Sequence, residues 1–119
     1  HILCLDKHTT GDGIISALQV LTAMRESGKS IAEMTADLVM YPQVLLNVRV
    51  PSGFDWRKHP AIAAAQAEAE AGMNGSGRVL LRPSGTEPVL RVMVEGEPRA
   101  SIERAAQSIA AAVRQAAGI

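Results

Sequence analysis

The chain has 119 residues, with 12 Lys or Arg balanced by 12 Asp or Glu, 47% apolar residues and 3% aromatic residues. Zero net charge and scarce aromatics argue against a nucleic-acid binder built on a broad basic face or a base-stacking platform. One cysteine, Cys4, excludes an internal disulfide, no apolar run approaches the ~20 residues of a membrane helix, nothing reads as a secretory leader, and a cytoplasmic setting follows as the default.

The chain opens on His1 without an initiator Met, which reads as a piece of a longer polypeptide. Residues 2–5 form a strand-like apolar run with no local partner. Asp12 is an N-cap candidate for a helix whose stripe is Ile14, Leu18, Leu21 and Met24. Ser27-Gly28 ends that helix. Ser30 with Glu33 is a capping-box pattern for a second, short helix over about Ile31 to Leu38. Met24, Met34 and Met40 read as core filling.

Tyr41-Pro42 breaks the helical pattern. Val44 to Val50 alternates as a strand, with Val44, Leu46, Val48 and Val50 on one face and Leu45, Asn47 and Arg49 on the other. An alanine-rich helix follows from Trp56 or Pro60 to Ala71, and Asn74-Gly75-Ser76-Gly77 is a turn. Two strands, Arg78–Leu81 and Val89–Val94, flank the segment Arg82-Pro83-Ser84-Gly85-Thr86-Glu87-Pro88. The last helix carries Ile102, Ala106, Ile109, Val113 and Ala116 on one face. The expected architecture is α+β: a small mixed or antiparallel sheet with two helices on one face over residues 42–119, preceded by a strand-helix-helix remnant of an α/β domain over residues 1–40.

The seven residues from Arg82 to Pro88 carry the chemistry. A phosphate needs directed donors rather than bulk positive charge. Arg82 offers a planar bidentate fork. Ser84 and Thr86 offer hydroxyls, and Gly85 lets successive backbone N–H groups aim at one oxygen. Pro83 and Pro88 stiffen both ends. Arg91, on the returning strand, is a further candidate whose facing the sequence leaves open. The same residue types also make an ordinary polar turn. His1, His8 and His59, with Cys4, lack zinc spacing, and no nucleophile–base–orienter set is visible, so neither a metal nor a catalytic group is expected here. His8 and His59 read as solvated surface.

Thr9-Thr10-Gly11-Asp12-Gly13-Ile14, then Tyr41-Pro42-Gln43-Val44 with Asn47-Val48-Arg49, then Arg82 to Pro88 followed by Arg91-Val92-Met93-Val94-Glu95, resemble the C-terminal portion of the α-D-phosphohexomutases, in their bacterial phosphoglucosamine mutase branch. The resemblance covers essentially the whole chain. It implies a four-domain cytoplasmic enzyme that interconverts glucosamine 6-phosphate and glucosamine 1-phosphate, for the precursor of cell-wall peptidoglycan, through a phosphoserine. It implies magnesium bound in another domain and none here. By the same resemblance, residues 1–40 end the third domain and residues 42–119 are the fourth, which holds the non-reacting phosphate through Arg82, Ser84, Gly85, Thr86 and, less securely, Arg91.

His1 would close the family's sugar-binding loop, as a possible catalytic group. The family's Ser-His-Asn-Pro and Asp-Gly-Asp motifs do not occur in these residues, so the chain alone is expected to be inactive. The implied partners are a sugar phosphate and the remaining domains of the same polypeptide, with no nucleic acid and no membrane. Alternatives are the same domain of a phosphomannomutase or phosphoglucomutase, a small α+β nucleic-acid-binding module, and a purely structural interaction domain.

Overall fold

A computed structural model describes residues 2–119. The chain divides into two compact units, one running to Val39 and the other spanning Met40–Ile119. His1, expected as a possible catalytic group, lies outside the described residues.

In the first unit, helix α1 (Gly13–Ser27) begins where the sequence places its cap. The Asp12 carboxylate accepts from the Ile14 and Ile15 N–H groups at 2.8 and 3.0 Å. Those backbone donors, Ile15 first and Ile14 second, hold the Asp12 carboxyl below its ordinary value. Gly28, at φ 66°, closes the helix in the left-handed conformation that favours glycine. Helix α2 (Ile31–Met34) carries the expected capping box between Ser30 and Glu33, and the Ser30 hydroxyl and N–H both lower the Glu33 carboxyl.

Three expectations for residues 1–40 change. Helix α2 stops four residues early, because the Thr35 hydroxyl turns back to the Ile31 carbonyl at 2.8 Å, competing with continuation of the helix. Residues 2–5 make no strand. The Cys4 carbonyl instead accepts from the Lys7 and His8 N–H groups at 2.8 and 2.9 Å, because a strand without a neighbour has nowhere else to satisfy its backbone. Met34 and Met40 are exposed rather than core-filling. The stripe of α1 is also solvent-facing, with Ile14, Leu18 and Leu21 all more than half exposed.

The second unit follows the expected order. It consists of β1 (Gln43–Arg49), a 3-10 turn (Trp56–Lys58), α3 (Pro60–Gly72), β2 (Gly77–Pro83), β3 (Val89–Gly96) and α4 (Arg99–Ala117). The sheet order is β1-β3-β2, and both pairings are antiparallel. Strand alternation divides its faces. Val44, Leu46 and Val48 of β1, Leu90, Val92 and Val94 of β3, and Val79 and Leu81 of β2 face the helices. Ile62 of α3 and Ile102, Ala106, Ile109, Ala110 and Val113 of α4 close over them, all fully buried. The apolar face read from the last helix is therefore the one that packs. His59 departs from its expected solvated state: it is half-buried and stacks on Phe54, ring centroids 4.8 Å apart.

Gly77 and Gly96 face each other where β2 meets β3. A Cβ at Gly77 would run into the Met73 sulfur and stand 2.5 Å from the Glu95 carbonyl oxygen. The methionine can move but the backbone carbonyl cannot without breaking the ladder. Gly77→Ala is expected to destabilise the domain by about 1–3 kcal/mol, the range for overpacking, seen as a lower urea midpoint at unchanged slope.

Candidate functional site

The hairpin joining β2 to β3 fixes the candidate residues. Its base is held by Pro83 opposite Leu90 and by the Ser84 N–H donating to the Val89 carbonyl at 2.8 Å. The Val89 N–H turns back to the Glu87 carbonyl, also at 2.8 Å. On the other side, the Val50 N–H reaches the Pro88 carbonyl at 2.9 Å and ties the end of β1 to the hairpin. Pro51 to Phe54 then makes a tight turn, its Phe54 N–H bonded to the Pro51 carbonyl at 3.1 Å, with Gly53 at φ 79°.

These two loops line a cavity of about 460 Å3, open to solvent, with Ser84, Gly85, Thr86 and Glu87 on one wall and Ser52, Gly53 and Phe54 on the other. Among the described residues, the Gly85 and Glu87 N–H groups have no backbone acceptor, and the Thr86 N–H meets only the Ser84 hydroxyl, at 3.5 Å. Free N–H groups and hydroxyls around one concavity are the donor set an anion requires.

Arg82 and Arg91 stand elsewhere. They are directly opposite one another across β2 and β3, on the face the helices leave open. With Gln43, Leu45, Leu80 and Met93 they line a smaller depression of about 240 Å3. Neither guanidinium has an ion-pair partner among the described residues. Like charges directly opposite on a sheet repel. No carboxylate among the described residues pairs with either, and a bound anion would compensate them.

The five predicted residues thus fall into two neighbouring groups, with only Pro83 between Arg82 and Ser84 in the chain. The hydroxyls and the glycine share one concavity, the two arginines share another, and Arg82 does not line the hydroxyl cavity. The facing of Arg91, open in the sequence, is settled by its register with Arg82.

Two features escaped sequence reasoning. One is the second cavity wall at Ser52 to Phe54. The other is the rung Asn47–Arg91–Arg82, which runs across all three strands. Alternation alone put Asn47 and Arg49 on one face of β1, but only the pairing of β1 with β3 brings them beside Arg91. Among the described residues, no three His, Cys, Asp or Glu side chains are grouped to hold a metal ion. The residues present do not fit a magnesium site. No described helix is long and apolar enough to cross a membrane.

An antiparallel sheet with two helices on one face, and an anion-suited hairpin at its end, defines a small α+β domain. Comparison with known proteins places it more narrowly. Residues 45–112 match the family described as phosphoglucomutase/phosphomannomutase, C-terminal domain, and residues 1–41 match the same family's alpha/beta/alpha domain III. The chain belongs to the phosphoglucomutase/phosphomannomutase family.

Among curated relatives, the phosphoglucosamine mutase of Nitrosospira multiformis is 62% identical over 98% of this chain and 25% of its own length. That of Dechloromonas aromatica is 59% identical over 98% and 26%. The chain therefore spans about a quarter of the length of these relatives. Among solved structures, Aspergillus fumigatus N-acetylphosphoglucosamine mutase in complex with GlcNAc-6P and magnesium superposes with a TM-score of 0.73 at 28% identity, covering 90% of this chain and 22% of that one. The same enzyme's S69A form with glucose1,6bisphosphate gives a TM-score of 0.70 at 28% identity, covering 90% and 21%.

Arg82 is exposed and lies outside the core, so its removal should spare the fold. Arg82→Ala is expected to abolish the response of the amide signals of residues 82–86 to added phosphate in an NMR titration. The thermal midpoint should stay within about 2 °C, as for a surface substitution.

Proposed function

We propose that this chain is the part of a phosphoglucosamine mutase that grips the non-reacting phosphate of its substrate. Residues 42–119 are the phosphate-holding fourth domain, and residues 1–40 are the end of the third. In the longer protein the reaction interconverts glucosamine 6-phosphate and glucosamine 1-phosphate. A phosphoserine elsewhere in that polypeptide donates and regains the phosphoryl group, with magnesium bound in another domain. The setting is the cytoplasm.

The observation that carries this reading is the opposed pair Arg82 and Arg91, without a carboxylate partner among the described residues and beside a loop of free donors. The N–H groups and hydroxyls of residues 84–86 supply direction, and the guanidiniums supply charge to a ligand bearing up to about two negative charges. The identity of over half to phosphoglucosamine mutases supports the choice of sugar.

Chemistry requires more than this grip. Binding energy at a remote phosphate accelerates a reaction only when it holds the reacting end in place and shuts out water. An open domain does neither, so its affinity should be weak and should fall with salt. Mixed with glucosamine 6-phosphate, magnesium and a hexose bisphosphate, the 119-residue chain is expected to bind sugar phosphate yet form no glucosamine 1-phosphate. Sustained product formation, followed by phosphorus NMR, would overturn the division of labour proposed here.

A further inference from the structure

The open face of the sheet is divided by charge. At one end the Glu95 carboxylate is satisfied, by Arg78 at 3.3 Å and by the Gln43 amide at 3.1 Å. The next rung is apolar: Leu45, Met93 and Leu80. The end nearest the hairpin holds the rung Asn47–Arg91–Arg82 and then Arg49, opposite Val89. Three guanidiniums gather there, and none has an ion-pair partner among the described residues. Asn47 and Arg49 are both exposed and face away from the helices, so they contribute nothing to the core.

Directly opposite side chains on an antiparallel pair stand about 5 Å apart at Cβ, and diagonal ones about 7–8 Å, within reach of long side chains. Asn47 is thus a direct neighbour of Arg91, and Arg49 is a diagonal one. Asn47 flanks Arg91 on the side away from Arg82, and Arg49 lies one diagonal step nearer the hairpin, so both border an anion held at Arg91 without lining the Arg82–Arg91 depression itself. An uncompensated third cation beside two others raises the repulsion in the empty domain, and a dianion would relieve it.

We propose that Asn47 and Arg49 of β1 complete the phosphate-end ligand site, so that it spans all three strands rather than the hairpin alone. Arg49 adds a third guanidinium to the anion. Asn47, which both donates and accepts, meets the hydroxyl nearest the phosphate on a phosphorylated hexose. This inference rests on the phosphate-holding role proposed above.

The test is a titration of the 119-residue chain with glucosamine 6-phosphate at low and high salt. Arg49→Gln and Asn47→Ala are each expected to raise Kd about threefold, in line with exposed polar and ionic contacts, with Arg49→Gln also flattening the salt dependence. Arg78→Gln removes a charge from the far, ion-paired end of the same face and is expected to leave Kd unchanged. Unfolding midpoints matched to the parent chain show that the fold is intact in each variant. Unchanged binding in the two β1 variants, with binding lost in Arg82→Ala, would overturn the β1 extension and leave the hairpin reading standing. Unchanged binding in Arg82→Ala as well would sink both. An equal loss in Arg78→Gln would reduce the effect to net charge and overturn the extension.

Discussion

Strand β3 is hydrogen-bonded on both sides, and its register governs everything this domain does. Leu90, Val92 and Val94 are fully or almost fully buried beneath the helices, while Arg91, Met93 and Glu95 project from the opposite face. A slip of one residue would exchange the two sets. It would drive the Arg91 guanidinium into an apolar core with no partner, at a cost far beyond that of any single contact in the domain. The hydrophobic core therefore enforces the positions of the arginines. Packing of Ile102, Ile109 and Val113 on one side of the sheet is what keeps Arg82 against Arg91 on the other.

The hairpin and the sheet face contribute differently. The loop is tethered at Ser84 and at Pro88, so its free N–H groups are set before any ligand arrives, and little backbone freedom remains to be lost on binding. Arg82 is exposed and Arg91 half-buried, and neither has an ion-pair partner among the described residues. The pairing suits a reversible grip. Under the proposed function, the tethered loop donors would orient a bound phosphate, and the arginines would add attraction that salt weakens.

Much of this was legible in the sequence because it is local. Asp12 and the Ser30–Glu33 pair declared their helix starts by side-chain chemistry alone, and the stripe of the last helix was periodic enough to name the core residues. The hairpin was flagged by turn residues between two apolar runs. The failures were non-local. Residues 2–5 have strand composition, but a strand exists only when paired, and here the Cys4 carbonyl is satisfied by a turn instead. The residue types of the site were readable, yet their division into a hydroxyl cavity and an arginine face was not. Nor was the neighbourhood of Asn47, since it depends on β1 pairing with β3 across about forty intervening residues, a fact that no local pattern encodes.

The most direct measurement observes the guanidinium groups themselves, through their Nε–Hε signals during addition of glucosamine 6-phosphate. The expected result is that Arg82 and Arg91 shift and slow their solvent exchange together, along one saturation curve, while the ion-paired Arg78 and Arg99 stay unchanged. Binding detected on the backbone with Arg82 and Arg91 both silent would contradict the claim that their opposed, uncompensated charges exist to hold an anion.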